Sequence, residues 1–123
     1  PRVHLAGYVS DADLPAYFAA ADAFVLPTLL EGFGIPLVEA MAAGLPLVTT
    51  SGGSAGEIAG DAGLVVPPAD SPALATALDQ LLADPTLARV LARRGQERAQ
   101  SHFDAQRMAV EIEAVYQNYL TAS

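Results

Sequence analysis

The sequence predicts an α/β fold in which a doubly wound parallel sheet is the middle of three layers and helices follow at the C-terminal end. Short apolar stretches, typical of buried strands, alternate with segments of helical periodicity. Glycine- and proline-rich turns separate the two kinds of segment. From residue 71 onward the pattern is helical, so the strands are expected in the first part of the chain.

The predicted strands are apolar stretches of six or seven residues: 3–9, 23–28, 45–50 and 62–68. The predicted helices repeat apolar residues every three or four positions: 10–22, 35–43, a short turn after 51–57, 71–84, 85–100 and 104–120. In such a sheet, ligands lie beyond the carboxyl ends of the strands. The corners that follow the strands are therefore the places to look for a site.

Individual residues give these helices ends and faces. Ser10 is the expected N-cap of the first helix, with Asp13 completing a capping box. Pro36 lies in the first turn of the second helix, and Gly44 is its expected end. The expected apolar stripe of helix 71–84 is Leu74, Leu78, Leu81 and Leu82. The expected docking face of the last helix is Met108, Ile112, Val115, Tyr116 and Tyr119.

Composition excludes several classes of function. The chain has 123 residues, 52% of them hydrophobic and 16% charged, which is typical of one globular domain with a real core. It contains no cysteine, so disulfides and thiolate chemistry are excluded, and a cytoplasmic location is expected. All six cationic residues are arginine, which excludes a Schiff-base or Walker lysine. The net charge of −8 argues against nucleic acid as a partner.

Two further expectations concern the arginines and the start of the chain. The four arginines between residues 89 and 98 have a spacing that fits the solvated face of a helix. No apolar run approaches the about 20 residues of a membrane span, and no signal peptide is visible. The start Pro-Arg-Val is read as the interior of a longer protein.

Residues 31–39, here called the Glu-Gly-Phe-Gly corner, carry the chemistry. Gly32 and Gly34 let the backbone approach a ligand closely. The helix that starts at Ile35 presents unpaired amides and a positive dipole end, which favours an anion such as phosphate. Glu39, one turn into that helix, could accept hydrogen bonds from a vicinal diol such as ribose, and Glu31 could accept from other hydroxyls. A structural alternative is an ordinary turn with helix-stabilising glutamates and Phe33 in the core.

The stretch LPTLLEGFGIPLVEAMAAGLPLVTT resembles the signature of retaining glycosyltransferases of family 4, which have the GT-B fold. Glu31 and Glu39 match the ends of that family's E-x7-E motif, and the flanking segments are similar as well. The resemblance implies that residues 1–123 are a Rossmann-like, partial C-terminal domain that binds the nucleotide-sugar donor of a hexosyltransferase. The N-terminal acceptor domain would be a separate part of the same protein.

The resemblance also implies roles for single residues. Glu39 would hold the ribose, and Glu31, the catalytic candidate, would hold hydroxyls of the donor sugar. Backbone amides around Gly32, Phe33, Gly34 and Ile35 would meet the sugar and the diphosphate. Tyr8 and Val9 would lie along the nucleobase. The donor would be a UDP-, GDP- or ADP-sugar, with no metal and no other cofactor.

Departures from the family pattern limit these expectations. The Arg/Lys pair that neutralises the diphosphate lies upstream in the family and is outside this sequence, so the chain alone is expected to be inactive. Gly56 and Ala105 replace a frequent proline and tryptophan. The strands that would flank residues 3–9 are also outside the sequence. We expect either re-pairing of this strand or a homodimer, including a strand-swapped one.

Three alternatives stay open at this point. The first is a non-catalytic nucleotide-binding or receiver-like signalling module, although the chain has neither the strand-end acidic cluster nor the lysine of a receiver. The second is a GT-B epimerase or phosphorylase. The third is a binding-only paralogue. Membrane contact is expected only as peripheral association of the longer protein.

Overall fold

Three short parallel strands form the sheet of the computed structural model. The model describes residues 2–122 without the side chains of residues 105, 107, 108, 111 and 119. The strands are β1 (Phe24–Leu26), β2 (Leu47–Thr50) and β3 (Gly63–Val66), in the order β1-β2-β3. All pairs are parallel, and Val48 of the central strand lies opposite Val25 and Leu64.

Six α-helices surround the sheet within the described residues: α1 (Leu14–Ala20), α2 (Ile35–Ala42), α3 (Ala55–Ala59), α4 (Ser71–Ala83), α5 (Pro85–His102) and α6 (Ala105–Thr121). A single 3₁₀ turn, Gly60–Ala62, joins α3 to β3. The boundaries follow local chemistry. Gly44 ends α2 with φ of +76°, as predicted. Asp70 caps α4 by accepting a hydrogen bond of 2.9 Å from the amide of Ala73.

The central strand separates two apolar clusters, which confirms the three-layer α/β prediction. Leu47 and Val48 are both fully buried and, as neighbours in a strand, they face opposite sides of the sheet. The buried members of the cluster on the Leu47 side are Leu37, Met41, Ala55, Ile58, Ala59, Ala62 and Ala99. The buried members on the Val48 side are Ala77, Leu81 and Leu91. Helix α5 contributes to both clusters, because Leu91 belongs to one and Ala99 to the other.

Helix α5 carries four arginines, yet one of its faces is buried in the core. Leu91, Gly95 and Ala99 are buried along one face. A Cβ on Gly95 would lie 3.2 Å from Cγ of Met41, so glycine allows α5 to approach α2 closely. One member of the predicted apolar stripe of α4 is wrong: Leu82 is 64% exposed. Ala77, which was not predicted, is buried.

The predicted strand at 3–9 is wrong for this structure. Residues 2–9, here called the N-terminal segment, form neither helix nor strand, and Leu5 is 90% exposed. A strand is stable only when a neighbour accepts and donates its backbone hydrogen bonds. Within the described residues β1 pairs only with β2, so the N-terminal segment does not re-pair beside it. The homodimer stays a prediction.

Helix α1 begins later than predicted, and its N-cap is Asp13 without a side-chain capping bond, so the predicted N-cap Ser10 is wrong and lies in the preceding turn. The Ser10 hydroxyl donates to Oδ2 of Asp13 at 2.8 Å, and the Asp13 amide donates to Oγ of Ser10 at 3.2 Å. Leu14 and Phe18 are half-buried, whereas Ala21, also predicted to point inward, is exposed.

Helix α6 leaves its apolar face uncovered. Ile112, Val115 and Tyr116 are each more than half exposed. The other two members of the predicted docking face, Met108 and Tyr119, lie outside the described side chains. In residues 2–122, the helices are all too short or too polar to cross a bilayer.

Candidate functional site

Side chains of β2 hold the loop that follows β1. The Thr49 hydroxyl donates to the carbonyl of Leu26 at 3.0 Å, and the Thr50 hydroxyl donates to that of Thr28 at 2.5 Å. Thr50 also accepts from the amide of Gly52 at 3.2 Å. Both threonines are almost fully buried. Their hydroxyls therefore fix where the chain leaves the carboxyl end of β1.

The backbone of Glu31 is anchored to the loop that follows β2. Glu31 forms an isolated parallel bridge with Gly53, and the amide of Ser54 donates to the Glu31 carbonyl at 3.1 Å. The Ser54 hydroxyl donates to the carbonyls of Glu31 and Gly32. Gly53 has φ of +61°, and a Cβ there would overlap the backbone of Glu31. The close approach of the two loops thus depends on glycine.

Gly34 begins α2 in the left-handed conformation, with φ of +78°. It is buried, and a Cβ there would lie 3.3 Å from carbon atoms of Glu31, Leu37 and Ile58. Among the side chains that the structure describes, none caps α2. Among the described residues, the amides of Phe33, Gly34 and Ile35 find no hydrogen-bond acceptor, while the Leu37 amide donates to the Gly34 carbonyl at 3.0 Å. The helix start thus presents unpaired donors at its positive end.

The side chains of the corner are placed for contact with solvent or a ligand. Phe33 is 49% exposed, so the alternative of a core phenylalanine is wrong. Glu31 is half-buried and Glu39 is exposed. The five candidates at positions 31–35 thus share one corner at the carboxyl edge of the sheet, and Glu39 lies in the helix that follows.

Glu39 also lines a cleft between α1 and α2. The cleft has a volume of about 530 Å³, and its walls include Asp11, Leu14 and Phe18 from the α1 side. Asp11 is thus a second carboxylate in the cleft that contains Glu39. Its position depends on how α1 packs against α2, which the sequence does not signal.

Tyr8 and Val9 are not assembled with the corner in this structure. Tyr8 is 92% exposed and Val9 is half-buried in the N-terminal segment. A side chain as exposed as Tyr8 packs against neither the corner nor the sheet. Their predicted contact with a nucleobase stays a prediction.

Three residues that the sequence did not single out for the site contact the corner or its surroundings. Ser54 holds the carbonyls described above. Phe103 lies against Phe33, with ring centroids 6.2 Å apart and planes at 87°. Arg98, predicted to be solvated, is half-buried, and its Nε and Nη2 donate to the carbonyls of Ile58 and Glu57, both at 2.7 Å.

These residues line a second cavity, of about 340 Å³, beside Phe33. The contacts join positions about forty residues apart in the chain, so no local sequence pattern could have revealed them. The described residues contain no cluster of three or more histidines, cysteines or carboxylates arranged to hold a metal ion.

Comparison with known proteins gives consistent matches. The family model for glycosyl transferases group 1 matches residues 1–84. The O-antigen chain mannosyltransferase B of Escherichia coli is 44% identical over 93 residues, which are 76% of this chain and 24% of that protein.

Two solved structures superpose closely on the chain. Sucrose-phosphate synthase from Thermosynechococcus elongatus gives a TM-score of 0.87 at 36% identity, covering 99% of this chain and 31% of the other. Anabaena Alr3699/HepE, solved in complex with UDP and glucose, gives a TM-score of 0.86 at 28% identity. The match covers 95% of this chain and 32% of the other. The chain thus spans about a quarter to a third of the length of these relatives.

Proposed function

Since the chain belongs to the group 1 glycosyltransferases and has part of their GT-B fold, we propose that it is the part of such an enzyme that binds the nucleotide-sugar donor. The observation that carries the proposal is the Glu-Gly-Phe-Gly corner. It combines a helix start with three unpaired amides, the half-buried Glu31 at the carboxyl edge of the sheet, and the exposed Glu39 further along the same helix. Family membership leaves the receiver-like module without support.

The start of α2 would bind the diphosphate. The amides of Phe33, Gly34 and Ile35 are donors without an acceptor among the described residues, and the helix dipole adds a partial positive charge. Pro36 has no amide hydrogen, so the three donors just before it are the ones left for a ligand. Such preorganised donors stabilise the negative charge that develops on a leaving diphosphate.

The two glutamates would divide the rest of the donor between them. Glu39 is exposed on α2 and lines the cleft against α1, a position from which it would accept hydrogen bonds from the ribose diol. Glu31 is half-buried, and its backbone is fixed by Ser54. We assign Glu31 to hydroxyls of the transferred sugar, in a binding role rather than as a covalent nucleophile.

The reaction proposed for the longer protein is transfer of a hexose with retention at the anomeric carbon. In a front-face displacement, the acceptor hydroxyl attacks from the side on which the diphosphate leaves, and the leaving oxygen takes up its proton. The acceptor site and the cations that neutralise the diphosphate would come from the remainder of the protein. The chain alone would bind the donor without transferring the sugar. A product assay on the longer protein separates transfer from epimerisation or phosphorolysis.

Calorimetric titration of the chain with UDP, GDP and ADP tests the proposal. We expect one nucleotide to bind saturably. In Glu39→Ala its affinity should fall by about tenfold to a hundredfold, because hydrogen bonds to a charged group are lost. Glu113→Ala removes an exposed carboxylate on α6 and is the matched control, with unchanged affinity. Failure of all three nucleotides to bind, or equal losses in both variants, would contradict the proposal.

A further inference from the structure

The end of α5 connects the Glu-Gly-Phe-Gly corner to the core through an aromatic contact. Phe103 is the C-terminal cap residue of α5, and its ring meets that of Phe33 edge to face at 6.2 Å. Phe103 is half-buried and packs against the cluster that contains Leu37 and Met41. Because Phe33 is itself 49% exposed, the contact with Phe103 restrains an aromatic ring that is otherwise largely in solvent.

Phe103 is in turn held by the preceding turn of α5. The guanidinium carbon of Arg98 lies 5.9 Å from the centre of the Phe103 ring, within the range of a cation–π contact. The same guanidinium donates to the carbonyls of Glu57 and Ile58 at the end of α3. Ser54, just before α3, holds the carbonyls of Glu31 and Gly32. The corner is therefore anchored on one side by Ser54 and on the other by Phe103.

We infer that Phe103 is a positioning residue for donor binding: it holds Phe33 and so aims the amides of Phe33, Gly34 and Ile35 at the diphosphate. The inference rests on the proposed function. Phe103 acts through Phe33 and not by touching the donor. Its effect is thus confined to the diphosphate and sugar, whereas the nucleoside bound by Glu39 is unaffected.

The affinity test uses the nucleoside diphosphate that the unmodified chain binds and the corresponding free nucleoside, which has no phosphate. In Phe103→Ala the affinity for the diphosphate should fall by about two- to tenfold, the equivalent of one aromatic pair, and that for the nucleoside should stay unchanged. Phe103→Tyr retains the aromatic ring, so its ratio of diphosphate to nucleoside affinity should equal that of the unmodified chain. Equal losses for both ligands, or no change in either, would overturn the inference.

Leu91→Ala is the matched control for a loss of stability without loss of the aromatic contact. Leu91 is 4% exposed in the same helix but belongs to the cluster on the other face of the sheet. This variant should lose stability and keep the ratio of diphosphate to nucleoside affinity. A change in that ratio in Leu91→Ala would show that the effect of Phe103→Ala is a general consequence of weakening the fold.

A second measurement needs no ligand and separates the two proposals. The amides of Leu37 and Ser54 donate to the carbonyls of Gly34 and Glu31, so their hydrogen exchange reports order in the corner. In Phe103→Ala their protection should fall by about two- to tenfold, with no change in β2. Unchanged protection would overturn the positioning role even if nucleotides bind. Reduced protection without nucleotide binding by the unmodified chain would instead sink the proposed function.

Discussion

The Glu-Gly-Phe-Gly corner and the N-terminal segment were both expected to contact the same ligand, yet only the corner is held in place. In the corner the Glu31 carbonyl accepts hydrogen bonds from the amide and the hydroxyl of Ser54, and Thr50 holds Thr28 in the loop that leads into the corner. The N-terminal segment contains Leu5 and Tyr8, each at least 90% exposed. Apolar character is similar in the two regions, so it does not explain the difference.

The difference lies in what each backbone pairs with. The loop 28–32 runs beside the loop that follows β2, and glycines at 52 and 53 let the two backbones meet. The N-terminal segment has an apolar strand-like sequence but no neighbouring strand among the described residues. A site at the edge of a parallel sheet is thus only as well formed as the strands on either side of it.

The largest effect is expected from Gly53→Ala, which would break the corner directly. The new methyl group would overlap the backbone of Glu31, and the residue would be held at φ of +61°. The steric overlap and the left-handed backbone conformation both destabilise the folded state, and we expect the free energy of unfolding to fall by about 3 kcal/mol or more. Urea denaturation of the variant and the unmodified chain measures the loss.

Gly32→Ala is the matched control for this prediction. Gly32 is exposed in the same loop, and nothing lies within 4 Å of a Cβ placed there. Its free energy of unfolding should stay within about 0.5 kcal/mol of the unmodified value. Similar losses in both variants would mean that the close approach of Gly53 to Glu31 is not what holds the corner.

Thr50→Val tests a single side chain that holds the loop leading into the corner, and a smaller loss of stability is expected than for Gly53→Ala. Valine keeps the shape of threonine but removes the hydroxyl, so the carbonyl of Thr28 loses a donor and the amide of Gly52 loses an acceptor. Thr50 is 3% exposed, and water does not replace these partners readily. We expect a loss of about 1–3 kcal/mol in the free energy of unfolding, measured by urea denaturation.

The control for Thr50→Val is Thr76→Val on the exposed side of α4. There the hydroxyl donates to the carbonyl of Pro72 within the same helix, in contact with solvent. This change should alter the free energy of unfolding by less than about 0.5 kcal/mol. If Thr50→Val costs no more than Thr76→Val, the buried threonine does not anchor the loop after β1.

Much of this fold could be predicted because its signals are local. Pro36 and Gly44 delimit α2, as the sequence indicated. The three strands that do form each match an apolar stretch between turns. A glycine requirement in the corner could be predicted as well, and Gly34 does adopt positive φ, whereas the space beside Gly32 is open.

The features that could not be predicted have a different physical cause, because they depend on residues far away in the sequence or on a neighbouring strand. Arg98 matched the pattern of a solvated helix face, but it bonds to carbonyls about forty residues earlier in the chain. Phe103 was not singled out from the sequence, because its contact with Phe33 depends on how the end of α5 packs against the corner. The strand expected at 3–9 has the composition of a strand and lacks a partner.

The smallest effect is expected from Leu5→Ala, which tests whether the N-terminal segment is packed. Leu5 is 90% exposed, so its truncation should change the free energy of unfolding by less than about 0.5 kcal/mol. The same substitution at Leu47, which is fully buried in β2, should cost about 2–5 kcal/mol. Urea denaturation at two protein concentrations measures both. A loss above about 1 kcal/mol for Leu5→Ala would show that the N-terminal segment is packed in solution, and a dependence of that loss on concentration would identify the second copy of the chain as its partner.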